Sequence, residues 1–174
     1  VAIPFTQTGD AYNGAGSRDW GARYMDVDLS EQHARYYDEN GNIVWEANFI
    51  SGKPGEDATP EGVWQINSND GGSTLIGAKD PETGKPKYES PVSYWMPFEG
   101  NMIGFHDATW QNDKSFDNAE SYKWCGSHGC INLPPDQAKI IYETIDKGYC
   151  VLVYNLPGTE SDTVKQKEAT AVVN

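Results

Sequence analysis

The stretch CGSHGCINLPPDQAKIIYETIDKGYCVLVY, residues 125–154, decides the architecture. Its middle reads as a helix over about 134–147. Pro134-Pro135 suits a first helical turn, where a missing N–H costs nothing, and Asp136 complements the positive end of the helix dipole. Ala138, Ile141, Tyr142 and Ile145 recur at helical spacing and form one apolar stripe, and Gly148 provides the stop. Tyr149–Tyr154 then runs almost without a polar residue, which is the pattern of a strand buried on both faces. Before the helix stand only small and reactive residues, Gly126, Ser127, His128, Gly129 and Cys130. They fit an exposed turn better than a packed strand.

Toward the N-terminus the texture becomes that of strands and turns. Tyr24–Leu29 alternates apolar and polar residues, the period of a half-buried strand. His33–Tyr37 and Ile43–Ile50 read as two more strands, joined through Asn40-Gly41, a strong hairpin signal. Ser51–Pro60 is a polar loop and Gly62–Asn67 a short strand. Residues 68–90 are rich in turn residues and read as a long excursion, of the kind that serves as a lid or binding loop. Pro91–Phe98 is aromatic-rich, and Asn101–His106 is a strand that ends in a histidine. Residues 1–21 read as an irregular lead-in and 157–174 as a tail, which leaves 22–156 as one domain.

Composition agrees with a mainly β protein. Among 174 residues there are 18 Gly and 10 Pro, which favour turns, and 21 aromatic rings (six Trp, ten Tyr, five Phe), which bury large areas economically. The net charge of −13 argues against nucleic-acid binding, which needs a basic stripe, and against anionic lipid; it predicts a soluble monomer. Three cysteines cannot all pair with one another, so at least one thiol is expected to be free. No apolar run is long enough to span a bilayer, and any anchor is expected upstream of Val1.

The chemistry concentrates around Cys130. A thiol attacks well only as a thiolate, so it needs a base, and a neighbouring imidazole supplies one. Gly129 removes the side chain that would crowd a substrate carbonyl and frees backbone N–H groups for a developing oxyanion. Cys150, inside an apolar strand, reads as inert packing. His33 reads as a surface or packing residue, and Cys125 as either packing or a redox partner. His128 is open between acid/base and structural roles. Tyr94, Trp95, Met96 and Phe98 are core aromatics and apolars by default, with a substrate-facing wall as the alternative. Cys125, His128, Cys130 and His106 are also ligand types that zinc accepts, but their tight spacing lacks the second paired cluster of a structural site, so no metal is expected.

Ser127-His128-Gly129-Cys130-Ile131-Asn132 resembles the SHGC-x-N signature of the L,D-transpeptidases, the YkuD-type catalytic domain. His106, in IGFHDATW, matches the upstream histidine of that family, with Trp110 four residues on. The resemblance runs from about Tyr24 to Tyr154. It implies a β-sandwich or curled mixed sheet with one principal helix beside the cysteine turn. It further implies that Cys130 is the nucleophile and His106 the base that prepares its thiolate. The Asp107 carbonyl would orient the base, Ser127 and His128 would shape the site, and the N–H groups of Gly129 and Cys130 would form the oxyanion hole. Asn132, Trp110, Tyr94, Trp95 and Met96 would contact substrate, between walls formed by residues 68–98 and 107–124. The implied partners are peptidoglycan stem peptides (a donor tetrapeptide and an acceptor amine), with carbapenems as inhibitors, acting outside the bacterial membrane without any cofactor. An L,D-carboxypeptidase of the same fold and a non-catalytic peptidoglycan-binding domain are the alternatives.

Overall fold

Alternation along the first strand sets the layers. In the computed structural model, which describes residues 23–69 and 71–155, strand β1 is Tyr24–Asp28. Successive side chains of a strand point to opposite faces, so Met25 and Val27 enter the main core while Asp26 and Asp28 take the other face. The expected lead-in (1–21) and tail (157–174) lie outside the described residues, as does Asp70.

Strands β2 (His33–Tyr37), β3 (Ile43–Asn48), β4 (Gly62–Gln65) and β10 (Cys150–Tyr154) join β1 in a five-stranded sheet of order β3-β2-β1-β10-β4. β10 is an interior strand, parallel to β1 and antiparallel to β4, and all five of its residues are buried. The β2–β3 hairpin turns where Asn-Gly indicated. Gly41 has φ +78, and both the Asn40 and Asn42 N–H groups donate to Asp38 Oδ1 at 2.9 Å.

A second sheet of order β7-β8-β9 comprises Trp95–Glu99, Ile103–Asp107 and Ile131–Leu133. After a single helical turn α1 (Tyr122–Cys125), helix α2, Pro135–Thr144, packs on β8 and closes the core from the side. Met25, Val27, Phe49, Met96, Phe98, Phe105, Ile131, Leu133, Ile141 and Val151 meet between the layers, each essentially fully buried. The whole is mainly β, with mixed, curled sheets and one principal helix, as expected.

Two expectations change. The helix ends at Thr144 rather than near residue 147, because Ile145 turns extended (φ −84, ψ 143) and drops into the core, 1% exposed. Its carbonyl accepts from Asn69 Nδ2 at 2.9 Å, and the Gly148 N–H bonds to Ile66 O, so neighbouring loops hold the departing chain. The excursion also has structure of its own. β5 (Ser73–Ile76) pairs antiparallel with β6 (Glu89–Val92) in a separate two-stranded arm.

Candidate active site

Strand alternation gathers the candidate residues on one face of the second sheet. β8 and β9 run parallel, with His106 opposite Asn132, and β7 places Trp95 opposite His106. Cys130 lies two residues before Asn132 and so shares its face. The intervening Phe105, Ile131 and Leu133 point into the core at 0% exposure. The outward set lines a cavity of about 590 Å³, which also includes Trp110, Gln111, Met102, Ile103, Cys125, Ser127 and His128. One wall is the β5–β6 arm, through Ser73, Thr74, Leu75, Ile76, Tyr88 and Ser90.

The same alternation corrects part of the expected wall. Trp95 lines the cavity, but Met96, one residue on, is 0% exposed within the core. Tyr94 lies outside the cavity and packs on Tyr142 of α2, with ring centroids 5.2 Å apart. Trp110, half-exposed, faces His106 at 5.7 Å between ring centroids.

His106 is 2% exposed, and its Nδ1 lies 2.8 Å from the Asp107 carbonyl. A carbonyl only accepts, so Nδ1 carries the proton and Nε2 keeps its lone pair. Burial pushes the imidazole below its ordinary range, against a smaller upward pull from the Asp107 carbonyl. The ring is therefore neutral at pH 7 and able to take a proton. The Asp107 carboxylate is engaged elsewhere, accepting the Ser93 and Tyr94 N–H groups at 2.9 Å.

Cys130 is half-buried, and its Sγ donates to the Met102 carbonyl at 3.5 Å. Burial pushes its thiol up to about 11; a main-chain hydrogen bond from Gly104 pulls the other way, and the Glu99 charge adds to the rise. With the thiol at about 11 and the imidazole below its ordinary range, both groups are neutral at pH 7, because desolvation disfavours each charged form.

The turn that carries Cys130 is pinned at both ends by the chain beyond β3. Ile50 and Asn132 exchange main-chain hydrogen bonds, and Ser127 bonds through its N–H to Ser51 O and through its carbonyl to Lys53 N–H. Within the turn, Ser127 Oγ donates to Cys130 O at 2.5 Å and accepts the Gly129 N–H at 3.0 Å. That bond occupies the Gly129 N–H, one of the two expected oxyanion donors, while the Cys130 N–H makes no hydrogen bond among the described residues. Gly129 sits at φ +128, where a side chain would be strained and its Cβ would meet Ile103 Cδ1 at 2.5 Å.

Asn132 is 2% exposed; its Nδ2 donates to Gln111 Oε1 at 3.2 Å, and its Oδ1 has no partner. A buried acceptor on a cavity wall is ready for a ligand's N–H. His128 is exposed and stacks on Tyr88 with ring centroids 4.5 Å apart. Cys125 Sγ donates to Ser121 O at 3.2 Å. Among the described residues, no three His, Cys, Asp or Glu side chains converge as a metal site. His33 stands apart, between Asn48 Oδ1 at 2.7 Å and Glu46 Oε1 at 2.9 Å. Tyr88 and Leu75 fall in the expected wall 68–98 and Gln111 in 107–124, though sequence reading named none of them individually, and it missed Met102 altogether. Each sits in a short strand or loop whose pattern says nothing about what it will face.

A thiol and a neutral imidazole line one cavity, and the N–H of the thiol's own residue is unpaired among the described residues; these are groups that cysteine acyl transfer uses. The chain belongs to the L,D-transpeptidase family, since residues 22–153 match the family model YkuD, the L,D-transpeptidase catalytic domain. It is 41% identical to the catalytic domain of Enterococcus faecium L,D-transpeptidase acylated by ertapenem, with TM-score 0.59, covering 75% of this chain and 95% of that one. A cysteine-to-serine mutant of the E. faecium enzyme matches with 38% identity and TM-score 0.65, over 76% of this chain and 49% of that one. YciB of Bacillus subtilis (strain 168), whose name is "Putative L,D-transpeptidase YciB", is 28% identical over 140 residues, or 75% of this chain. The chain spans 64% of the length of that relative. No helix among the described residues is long and apolar enough to cross a membrane.

Proposed function

We propose that the chain is a peptidoglycan L,D-transpeptidase that cross-links stem peptides through a thioester on Cys130. The observation that carries this reading is that His106 and Asn132 stand opposite each other on β8 and β9 and line one cavity together with Cys130, two residues before Asn132. A donor tetrapeptide lies in the cavity with the carbonyl of its L-centre residue at Sγ. Its arrival excludes water, and His106 Nε2 takes the thiol proton as sulfur attacks. Since both groups are neutral at rest, proton transfer and attack are coupled, which is general-base catalysis rather than attack by a preformed thiolate.

The Cys130 N–H stabilises the oxygen that becomes negative. The C–N bond to the terminal D-residue breaks, its amine takes the proton from His106, and the thioester remains. An amine of a second stem then attacks the thioester, His106 takes its proton, and the thiol is restored. Asn132 Oδ1 accepts an N–H of the donor peptide, while Trp95, Trp110 and the β5–β6 arm provide the walls. Acylation of a 41%-identical catalytic domain by ertapenem supports the same chemistry here.

The test is intact-mass spectrometry after exposure to a carbapenem. One adduct is expected, mapping to the peptide that contains Cys130 and absent in Cys130→Ala. An adduct on Cys125, or none in the wild type, overturns the assignment.

A further inference from the structure

Two hydroxyls, not one, pin the reactive turn. Ser127 holds it from within. The second comes from 70 residues earlier: Thr59 Oγ1 donates to the Gly129 carbonyl at 2.7 Å. Thr59 is 5% exposed, and the same oxygen accepts the Gly52 N–H at 3.0 Å. The Gly52 donor occupies one side of the hydroxyl, which leaves its proton to be given to Gly129.

The segments joined in this way are in close contact. A Cβ on Gly52 would fall 2.9 Å from Gly129 Cα and 1.8 Å from the Asp57 carbonyl. Main-chain pairing along this seam holds the turn at Ser127, which bonds Ser51 and Lys53, and at Asn132, which bonds Ile50, but not at Gly129 between them. The Thr59 hydroxyl carries the attachment on to Gly129. That carbonyl belongs to the Gly129–Cys130 peptide unit. In a planar trans peptide the C=O and N–H point in opposite directions, so holding one aims the other. The N–H aimed in this way is that of Cys130, the oxyanion donor left open.

We propose that Thr59 is a positioning residue for acyl transfer: its hydroxyl locks the Gly129–Cys130 peptide so that the Cys130 N–H meets the developing oxyanion. This inference rests on the acyl-transfer reading of Cys130. Gly129 has no side chain to hold its peptide in place, and the position at φ +128 is open to glycine as to no other residue. A turn built on glycine for access therefore needs an outside clamp against rotation.

The experiment compares Thr59→Val, which keeps the shape and removes the hydroxyl, with Thr59→Ser, which keeps the hydroxyl. Two reactions of Cys130 are followed by peptide-resolved mass spectrometry: acylation by a carbapenem, which passes through an oxyanion, and alkylation by iodoacetamide at pH 9, which does not. Removing an oxyanion donor outright costs roughly 10²–10³ in rate, and misaiming one costs less, so Thr59→Val should acylate about 10- to 100-fold more slowly at saturating carbapenem. Its alkylation rate should stay within about twofold of wild type, and Thr59→Ser should recover acylation to within about threefold.

Wild-type acylation in Thr59→Val overturns the proposal. So does an equal loss of acylation and alkylation, or a Thr59→Ser protein no better than Thr59→Val. Should Thr59→Val fail to fold, Thr59→Ala replaces it with no extra bulk; failure of both to fold makes Thr59 structural and also overturns the proposal. A wild type that alkylates at Cys130 but is never acylated sinks the transpeptidase reading itself, a result distinct from any of these.

Discussion

Iodoacetamide should modify Cys130 slowly at pH 7, and His106→Ala should hardly change that rate. With the thiol pushed up to about 11 from an ordinary 9.0, the thiolate fraction at neutral pH falls about a hundredfold. A more basic thiolate is intrinsically more nucleophilic, by about tenfold over two pKa units, so the net expectation is a rate roughly tenfold below that of an ordinary cysteine. The rate should climb close to tenfold per pH unit and level off only near pH 11. Burial, not the imidazole, raises the thiol, so His106→Ala should shift alkylation by less than about threefold. Carbapenem acylation, which needs the base, should fall about 10²–10⁴-fold in the same variant. The assay is stopped-time alkylation from pH 6 to 11 with the Cys130 peptide quantified separately from those of Cys125 and Cys150. A wild-type rate that is already flat below pH 7 and drops a hundredfold in His106→Ala would mean a resting thiolate–imidazolium pair, and the coupled mechanism would be wrong.

Asp26, 1% exposed, has its carboxyl pushed up to about 6 by burial, against opposing pulls from the Tyr154 hydroxyl and Arg35. The folded state therefore holds a proton that the unfolded state has released between about pH 4 and 6, so stability falls as pH rises through that window. Asp26→Asn should remove this slope and raise stability at pH 7 by about 2–3 kcal/mol in urea melts; an unchanged slope contradicts the assignment. Gly52→Ala drives a Cβ to 1.8 Å from the Asp57 carbonyl and should cost about 3 kcal/mol together with most carbapenem acylation. A Gly52→Ala protein with wild-type melting would show that the seam is looser than described. Cys150→Ala, in an interior strand 7% exposed, should lower stability by about 1–2 kcal/mol and leave the acylation rate within twofold.

The fold was legible where pattern and burial coincide. Tyr24–Asp28, His33–Tyr37 and Cys150–Tyr154 appear as strands because their periods match the faces they bury. The end of α2 was not legible, because Ile145 continues the helical stripe and leaves the helix only to satisfy a core position. β5 and β6 were hidden by being four residues each between clusters of turn residues, too short to show a period. In the site, the residue types around Cys130 announced themselves, whereas their partners did not. Trp95 and Met96 are equivalent as a string and opposite in the structure, because only the register of β7 against β8 says which of the two faces the cavity. Thr59 sits in a loop with nothing to mark it, and its bond to Gly129 spans 70 residues.

The most direct test of the central claim is to incubate the purified protein with a disaccharide-tetrapeptide and read the products by mass spectrometry. A cross-linked dimer is expected, formed with loss of the terminal D-residue and absent with Cys130→Ala. Tripeptide without dimer would make the protein a carboxypeptidase, and dimer formation that survives Cys130→Ala would contradict the mechanism.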